Sequence, residues 1–151
     1  MRTSPTASPA RSAAVPAPEM AARLRLSATR LARRLRQESG AGLSPSQQSA
    51  LAVIANEGPL TLGALAEHER VAPPSITKVV SKLEADGLVI RTPDPADRRV
   101  CRVAVSPDGA ALLEESRRRK TAWLTARITE LDHDRQRRLA DALDVLDELI
   151  S

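Results

Sequence analysis

Apolar residues recur at helical spacing along most of the chain. Between Glu19 and Glu38, Leu24, Leu31 and Leu35 fall on one side with Ala28 between them, and Arg23, Arg30, Arg33, Arg34 and Arg36 surround that stripe. This pattern predicts an amphipathic helix, ended by Gly40 and Gly42. Ser44-Pro45-Ser46-Gln47 begins a second helix. Ser44 can cap it, Pro45 suits the first helical position, and Gln47 can reach back to complete a capping box. Leu51, Val53 and Ile54 give that helix its apolar side before Gly58-Pro59 stops it. Thr61 caps a short third helix that holds Leu62, Leu65 and Ala66, with His68 near its end. A fourth helix opens at Ala72-Pro73-Pro74 and runs to Asp86. Its Ile76, Val79, Val80 and Leu83 lie at i, i+3, i+4 and i+7, opposite Ser75, Thr77, Lys78, Ser81 and Lys82. Gly87 is placed to end it in the left-handed region.

The period then changes from helical to extended. Leu88–Thr92 and Val100–Val105 read as strands, the second with Cys101, Val103 and Val105 on one face and Arg102 on the other. The turn-rich loop Pro93-Asp94-Pro95-Ala96-Asp97-Arg98-Arg99 joins them into an antiparallel hairpin with a basic tip. Ser106-Pro107-Asp108-Gly109 starts a long helix through Leu112, Leu113, Trp123, Leu124 and Ile128. After a break at Leu131-Asp132, a last helix carries Leu139, Leu143, Leu146 and Ile150, widened by Ala142 and Leu149. Residues 1–18 hold Pro5, Pro9, Pro16 and Pro18 among Ala, Ser and Thr, without apolar periodicity. They read as a disordered tail and contain no secretory core, so the expected location is cytoplasmic.

Composition narrows the possible functions. No apolar run approaches the roughly 18 residues that span a bilayer. A single cysteine excludes an internal disulfide framework, and two histidines beside it are too few for a structural zinc site. There is no Tyr or Phe, and Trp123 is the one tryptophan. Base stacking on single strands is therefore not available, although the net charge is +4. The charge is uneven: residues 1–40 carry 8 basic and 2 acidic side chains, residues 41–106 carry 7 of each, and residues 107–151 carry 8 and 10. Any contact with duplex DNA in the middle third must come from the placement of its charges, not from their sum.

Three short helices followed by a hairpin is the order of a winged helix-turn-helix, and the fold class expected is mainly α with a small β-hairpin. The helix at 72–86 turns small polar and Lys side chains outward, which suits a B-DNA major groove. The hairpin tip with Arg98 and Arg99 can reach phosphates or the neighbouring minor groove. At these residues the chain resembles the MarR family of bacterial transcriptional regulators. The resemblance covers residues 20–150. It rests on Leu60-Thr61-Leu62, on Pro74-Ser75-Ile76-Thr77-Lys78-Val79-Val80-Ser81-Lys82-Leu83-Glu84 and on Asp86-Gly87-Leu88-Val89-Ile90-Arg91. It continues through Asp94-Pro95-Ala96-Asp97-Arg98-Arg99 and Val103-Ala104-Val105-Ser106-Pro107-Asp108-Gly109.

The resemblance implies a homodimer whose N-terminal and last two helices interlock. It implies palindromic operators bound by two recognition helices, and release by a small ligand of a type the residues do not identify. Carried onto this chain, Arg99 enters the minor groove and Asp97 holds the wing by pairing with a neighbouring Arg. Ser75, Thr77, Lys78, Ser81 and Lys82 face bases or phosphates, and Pro74 touches a thymine methyl. The expected organisation is a tail at 1–18 and one domain at 19–151. Within that domain, 19–39 and 107–151 dimerise and 44–106 form the winged helix-turn-helix. Independently of the resemblance, the stripe on 139–150 needs a covering surface; a second copy supplies one economically, and the alternative is a bundle of the first and last helices within one chain. Leu24, Leu31, Leu139, Leu143, Leu146 and Ile150 are the dimerisation residues expected. Trp123 either lines a ligand pocket or fills the dimer core, and any pocket would be aliphatic with an Arg for an anion. Cys101, beside Val residues, reads as a small buried hydrophobe. No nucleophile–base pair, phosphate-cradling glycine loop or metal cluster is present in the sequence, so no enzyme, cofactor or metal is expected. The rival readings are a winged-helix module that binds protein rather than DNA, and a regulator that senses oxidants through its cysteine.

Overall fold

The computed structural model describes residues 15–151. Contacts divide the chain after Arg34 into two units, each described by itself. The first holds most of α1 (Ala17–Glu38). Every described side chain through Arg34 is exposed there, Leu24 and Leu31 included. Helix starts earlier than composition suggested: Ala17 and Pro18, assigned to the tail, form the first turn. Pro18 is tolerated because a first-turn N–H has no intrahelical partner to lose, and Met20 N donates to Pro16 O at 3.0 Å. Residues 1–14 of the expected tail lie outside the described residues.

The second unit contains α2 (Pro45–Glu57), β1 (Leu60–Thr61), α3 (Leu62–Glu69), α4 (Pro73–Ala85), β2 (Val89–Pro93), β3 (Cys101–Val105), α5 (Pro107–Thr129) and α6 (His133–Ile150). Local chemistry explains most of the boundaries. Ser44 and Gln47 form the reciprocal capping box at α2, with Gln47 N donating to Ser44 Oγ at 3.2 Å and Ser44 N to Gln47 Oε1 at 2.9 Å. Thr61, Ser106 and Asp132 cap α3, α5 and α6 in the same side-chain-to-N–H manner. Leu60 and Thr61 are a strand rather than only the opening of a helix. They pair with β3 at Leu60↔Val103 and Thr61↔Arg102, giving an antiparallel sheet in the order β1-β3-β2. The turn into α4 uses Arg70 in the left-handed region, φ 54°, with its N–H on the Ala66 and Glu67 carbonyls.

The core gathers Ala50, Leu51 and Ile54 of α2, Leu65 and Ala66 of α3, Ile76, Val80 and Leu83 of α4, and Leu88, Val89 and Val103 of the wing. The helical stripes read from the sequence meet here, so α4 buries one face and keeps the other outside. Gly87 leaves α4 at φ 73°, a conformation that side chains with a Cβ resist. Its carbonyl accepts from Ser106 Oγ at 2.6 Å, and Ser106 Oγ in turn accepts from Gly109 N at 3.0 Å. The exit of α4 and the start of α5 are thus tied through one buried hydroxyl. Towards the C-terminus, Gln136 Nε2 donates to the Ile128 and Leu131 carbonyls and fixes the bend between α5 and α6. No residue of α6 is buried.

Candidate nucleic-acid interface

On α4 the faces separate as the spacing predicted. Ile76, Val80 and Leu83 are buried, whereas Pro74, Ser75, Thr77, Lys78, Ser81 and Lys82 are exposed. Three of these polar groups already have protein partners. Thr77 Oγ1 donates to Pro73 O at 2.9 Å, Lys82 Nζ pairs with Asp86 at 2.9 Å, and Ser81 Oγ accepts from Arg91 Nη2 at 3.1 Å. Arg91 comes from β2, so the wing and α4 are joined at the polar face itself. Glu84 Oε2 lies 2.9 Å from Arg91 Nε but off the N–H direction, an ion pair rather than a directed hydrogen bond.

The wing is organised by two aspartates. Asp94 is buried at the base of the loop and accepts from Ala96 N at 2.7 Å, from Asp97 N at 3.3 Å and from Arg102 Nε. Arg102 also donates to Pro59 O at 3.2 Å, which anchors the wing to the segment before β1. The Arg102 guanidinium first, and then the Ala96 N–H, hold the Asp94 carboxyl below its usual range. Asp97 accepts from Arg99 Nε at 3.1 Å, Arg99 Nη2 at 3.2 Å and Arg99 N at 3.0 Å, and Arg99 lowers its pKa. The side chain of Arg99 is nevertheless 92% exposed, and Arg98 is exposed beside it. The fork holds Arg99 outward without burying its charge.

The MarR family model matches residues 43–101, the segment that carries this helix-turn-helix and wing. The uncharacterized HTH-type transcriptional regulator ML2140 of Mycobacterium leprae is 45% identical over 132 residues, which is 87% of this chain and 92% of that protein. The chain belongs to the MarR family. A MarR family protein of Bacillus stearothermophilus is 26% identical with a TM-score of 0.72, covering 87% of this chain and 93% of that one. A mutant of S. aureus MepR, solved bound to an oligodeoxyribonucleotide, shares the fold at a TM-score of 0.68 and 15% identity, over 87% and 98% of the two chains. As a MarR family member, the protein is a transcriptional regulator with a DNA-binding helix-turn-helix, and its relatives are regulators rather than enzymes.

Within this MarR family chain, the second unit brings Pro74, Ser75, Thr77, Lys78, Ser81 and Lys82 onto α4 and Asp97, Arg98 and Arg99 onto the wing. Sequence reasoning missed Arg91, Asp94 and Arg102, which organise these residues without being the most exposed among them. Asp94 carried a signal, since an Asp before Pro at a turn commonly binds its own backbone. Cys101 requires a correction. It is exposed, not packed with the valines, because it pairs with Pro93 at the wing end of the ribbon, beyond the last core layer at Val103. Trp123 is half-buried on α5, with Arg127 stacked 5.7 Å from its ring centroid. Of the dimerisation residues expected, Leu139 and Leu146 are half-buried, and Leu24, Leu31, Leu143 and Ile150 are exposed.

Proposed function

We propose that this regulator is a cytoplasmic, non-enzymatic homodimeric repressor that binds palindromic operators and is released by a small ligand. The observation that carries the DNA-reading part is the polar face of α4, joined through Arg91 to a wing that holds Arg99 outward. One groove-sized helix and one cationic tip on a shared frame suit adjacent major and minor grooves. In this reading residues 44–106 read DNA, and 19–39 with 107–151 dimerise. The apolar side chains exposed on α1 and α6 support the second copy, and a two-fold dimer pairs naturally with a palindrome.

The release site we favour is the cleft of about 280 Å³ between α2 and α5. Ala52, Ala55, Leu113 and Leu124 give it an apolar wall, and Arg117 and Lys120 stand at it. A small anion with an apolar body fits that chemistry. The test is fluorescence anisotropy on the duplex upstream of the protein's own gene, beside a scrambled duplex, across a salt series. Specific and salt-sensitive binding, saturating at one dimer per site, is expected. Failure to bind either duplex at low salt would revive a protein-binding module. Loss of binding after thiol alkylation would move the release signal to Cys101, exposed on the wing.

A further inference from the structure

We infer that Arg91 is a positioning residue that sets the hydrogen-bonding sense of Ser81, so that Ser81 offers its O–H to an acceptor on the duplex. The inference rests on the DNA-reading function proposed above. Alternation along β2 puts Arg91 on the same side as buried Val89, and its side chain is only 25% exposed. Its stem therefore follows the edge of the core, and its head emerges at the polar face of α4. There Nη2 donates to Ser81 Oγ at 3.1 Å. A guanidinium has donors and no acceptor, so it fills one lone pair of the serine oxygen and leaves the hydroxyl hydrogen to be given elsewhere. Thr77, on the same helix, spends its hydrogen on the Pro73 carbonyl. Ser81 is thus the hydroxyl held in the donor sense towards DNA, where the acceptors are phosphate oxygens and the N7, O6 and O4 atoms of base edges. Glu84, 2.9 Å from Arg91 Nε, restrains the guanidinium and offsets its charge. Arg91 consequently acts through Ser81 rather than by neutralising a phosphate.

A double-mutant cycle in the full chain tests this, using Ser81→Ala, Arg91→Gln and both together, on the specific and scrambled duplexes at several salt concentrations. Each single variant is expected to weaken specific binding about tenfold, the worth of one hydrogen bond to DNA. The double variant should lose no more than either alone, because both changes remove the same interaction. The salt slope should stay at the wild-type value, and Arg91→Lys should recover part of the loss. Loss on the specific duplex alone assigns the acceptor to a base edge, and equal loss on both duplexes assigns it to a phosphate. Additive losses, or a salt slope reduced by about one in Arg91→Gln, would overturn the inference, since either means that Arg91 touches DNA directly. Should Arg91→Gln melt below wild type, Arg91→Met, which keeps an apolar stem and has no donor, replaces it in the cycle. Wild-type protein that binds neither duplex would instead remove the DNA-reading function on which the inference stands.

Discussion

Gly109 occupies the first turn of α5 under a spatial constraint rather than a conformational one. A Cβ built there would lie 2.1 Å from the Leu88 carbonyl oxygen and 3.0 Å from Val105 Cγ2. Backbone cannot yield to that contact as a flexible side chain would. Gly109→Ala should therefore push α5 away from the start of β2, at about 1–3 kcal/mol in the manner of an overpacked core. A thermal melt should fall by several degrees, and an unchanged melting temperature would show that the junction has slack. Asp94 gives a second prediction at this scale. Its folded pKa lies below the ordinary value of 3.8, mainly because Arg102 bonds the carboxylate. The sign follows from linkage: the carboxylate stabilises the wing in full above 3.8, and that contribution is lost as pH falls through the depressed value. The Ala96 and Asp97 amide resonances should hold their wing positions until the solution is more acid than an ordinary aspartate requires. Titration of those amides at or above the ordinary value would sink the argument. Asp94→Asn should erase the transition.

At the scale of elements, the wing tip is braced by Asp94 and Asp97, and its arginine sits in an exposed pair. The Asp97–Arg99 pair is solvent-exposed, a class of contact worth only about 0–1 kcal/mol, so DNA can replace it at little cost. Arg99→Ala should leave the melting temperature within a degree or two while weakening duplex binding and lowering the salt slope by about one. An unaltered slope would take the wing away from the phosphates. Helix starts were legible because capping is local: Ser44 with Gln47, Thr61, Ser106 and Asp132 each act on an N–H three residues away. The polar face of α4 was legible for a similar reason, since a buried stripe defines its opposite. Contacts made through space were not. Two residues cannot display an alternation, so β1 was hidden inside a helix signal. Arg91 and Arg102 looked like ordinary strand arginines until β2 met α4 and β3 met Pro59. Cys101 had the correct strand parity, but parity does not say where the core stops.

At the scale of the molecule, α1 and α6 each leave apolar side chains exposed. Neither α1 nor α6 has a buried residue, yet α6 exposes Leu143 at 52% and Ile150 at 83%. Burying such side chains stabilises by roughly 25 cal/mol per Å². Under the dimer reading, Leu143→Asp places a charge in the seam where water is excluded, while Asp144→Lys changes the opposite sign on the polar side as a control. Sedimentation should give a monomer for Leu143→Asp and a dimer for Asp144→Lys. The consequence for DNA follows from linkage between half-sites. A joined pair of reading heads gains about 10²–10⁴ in avidity over one head, so the monomer should lose at least about a hundredfold on a palindrome. It should lose far less on an isolated half-site, because each wing and recognition helix remains intact. A Leu143→Asp protein that still sediments as a dimer would move the interface off α6. A monomer that binds the palindrome as tightly as wild type would separate DNA reading from dimerisation altogether.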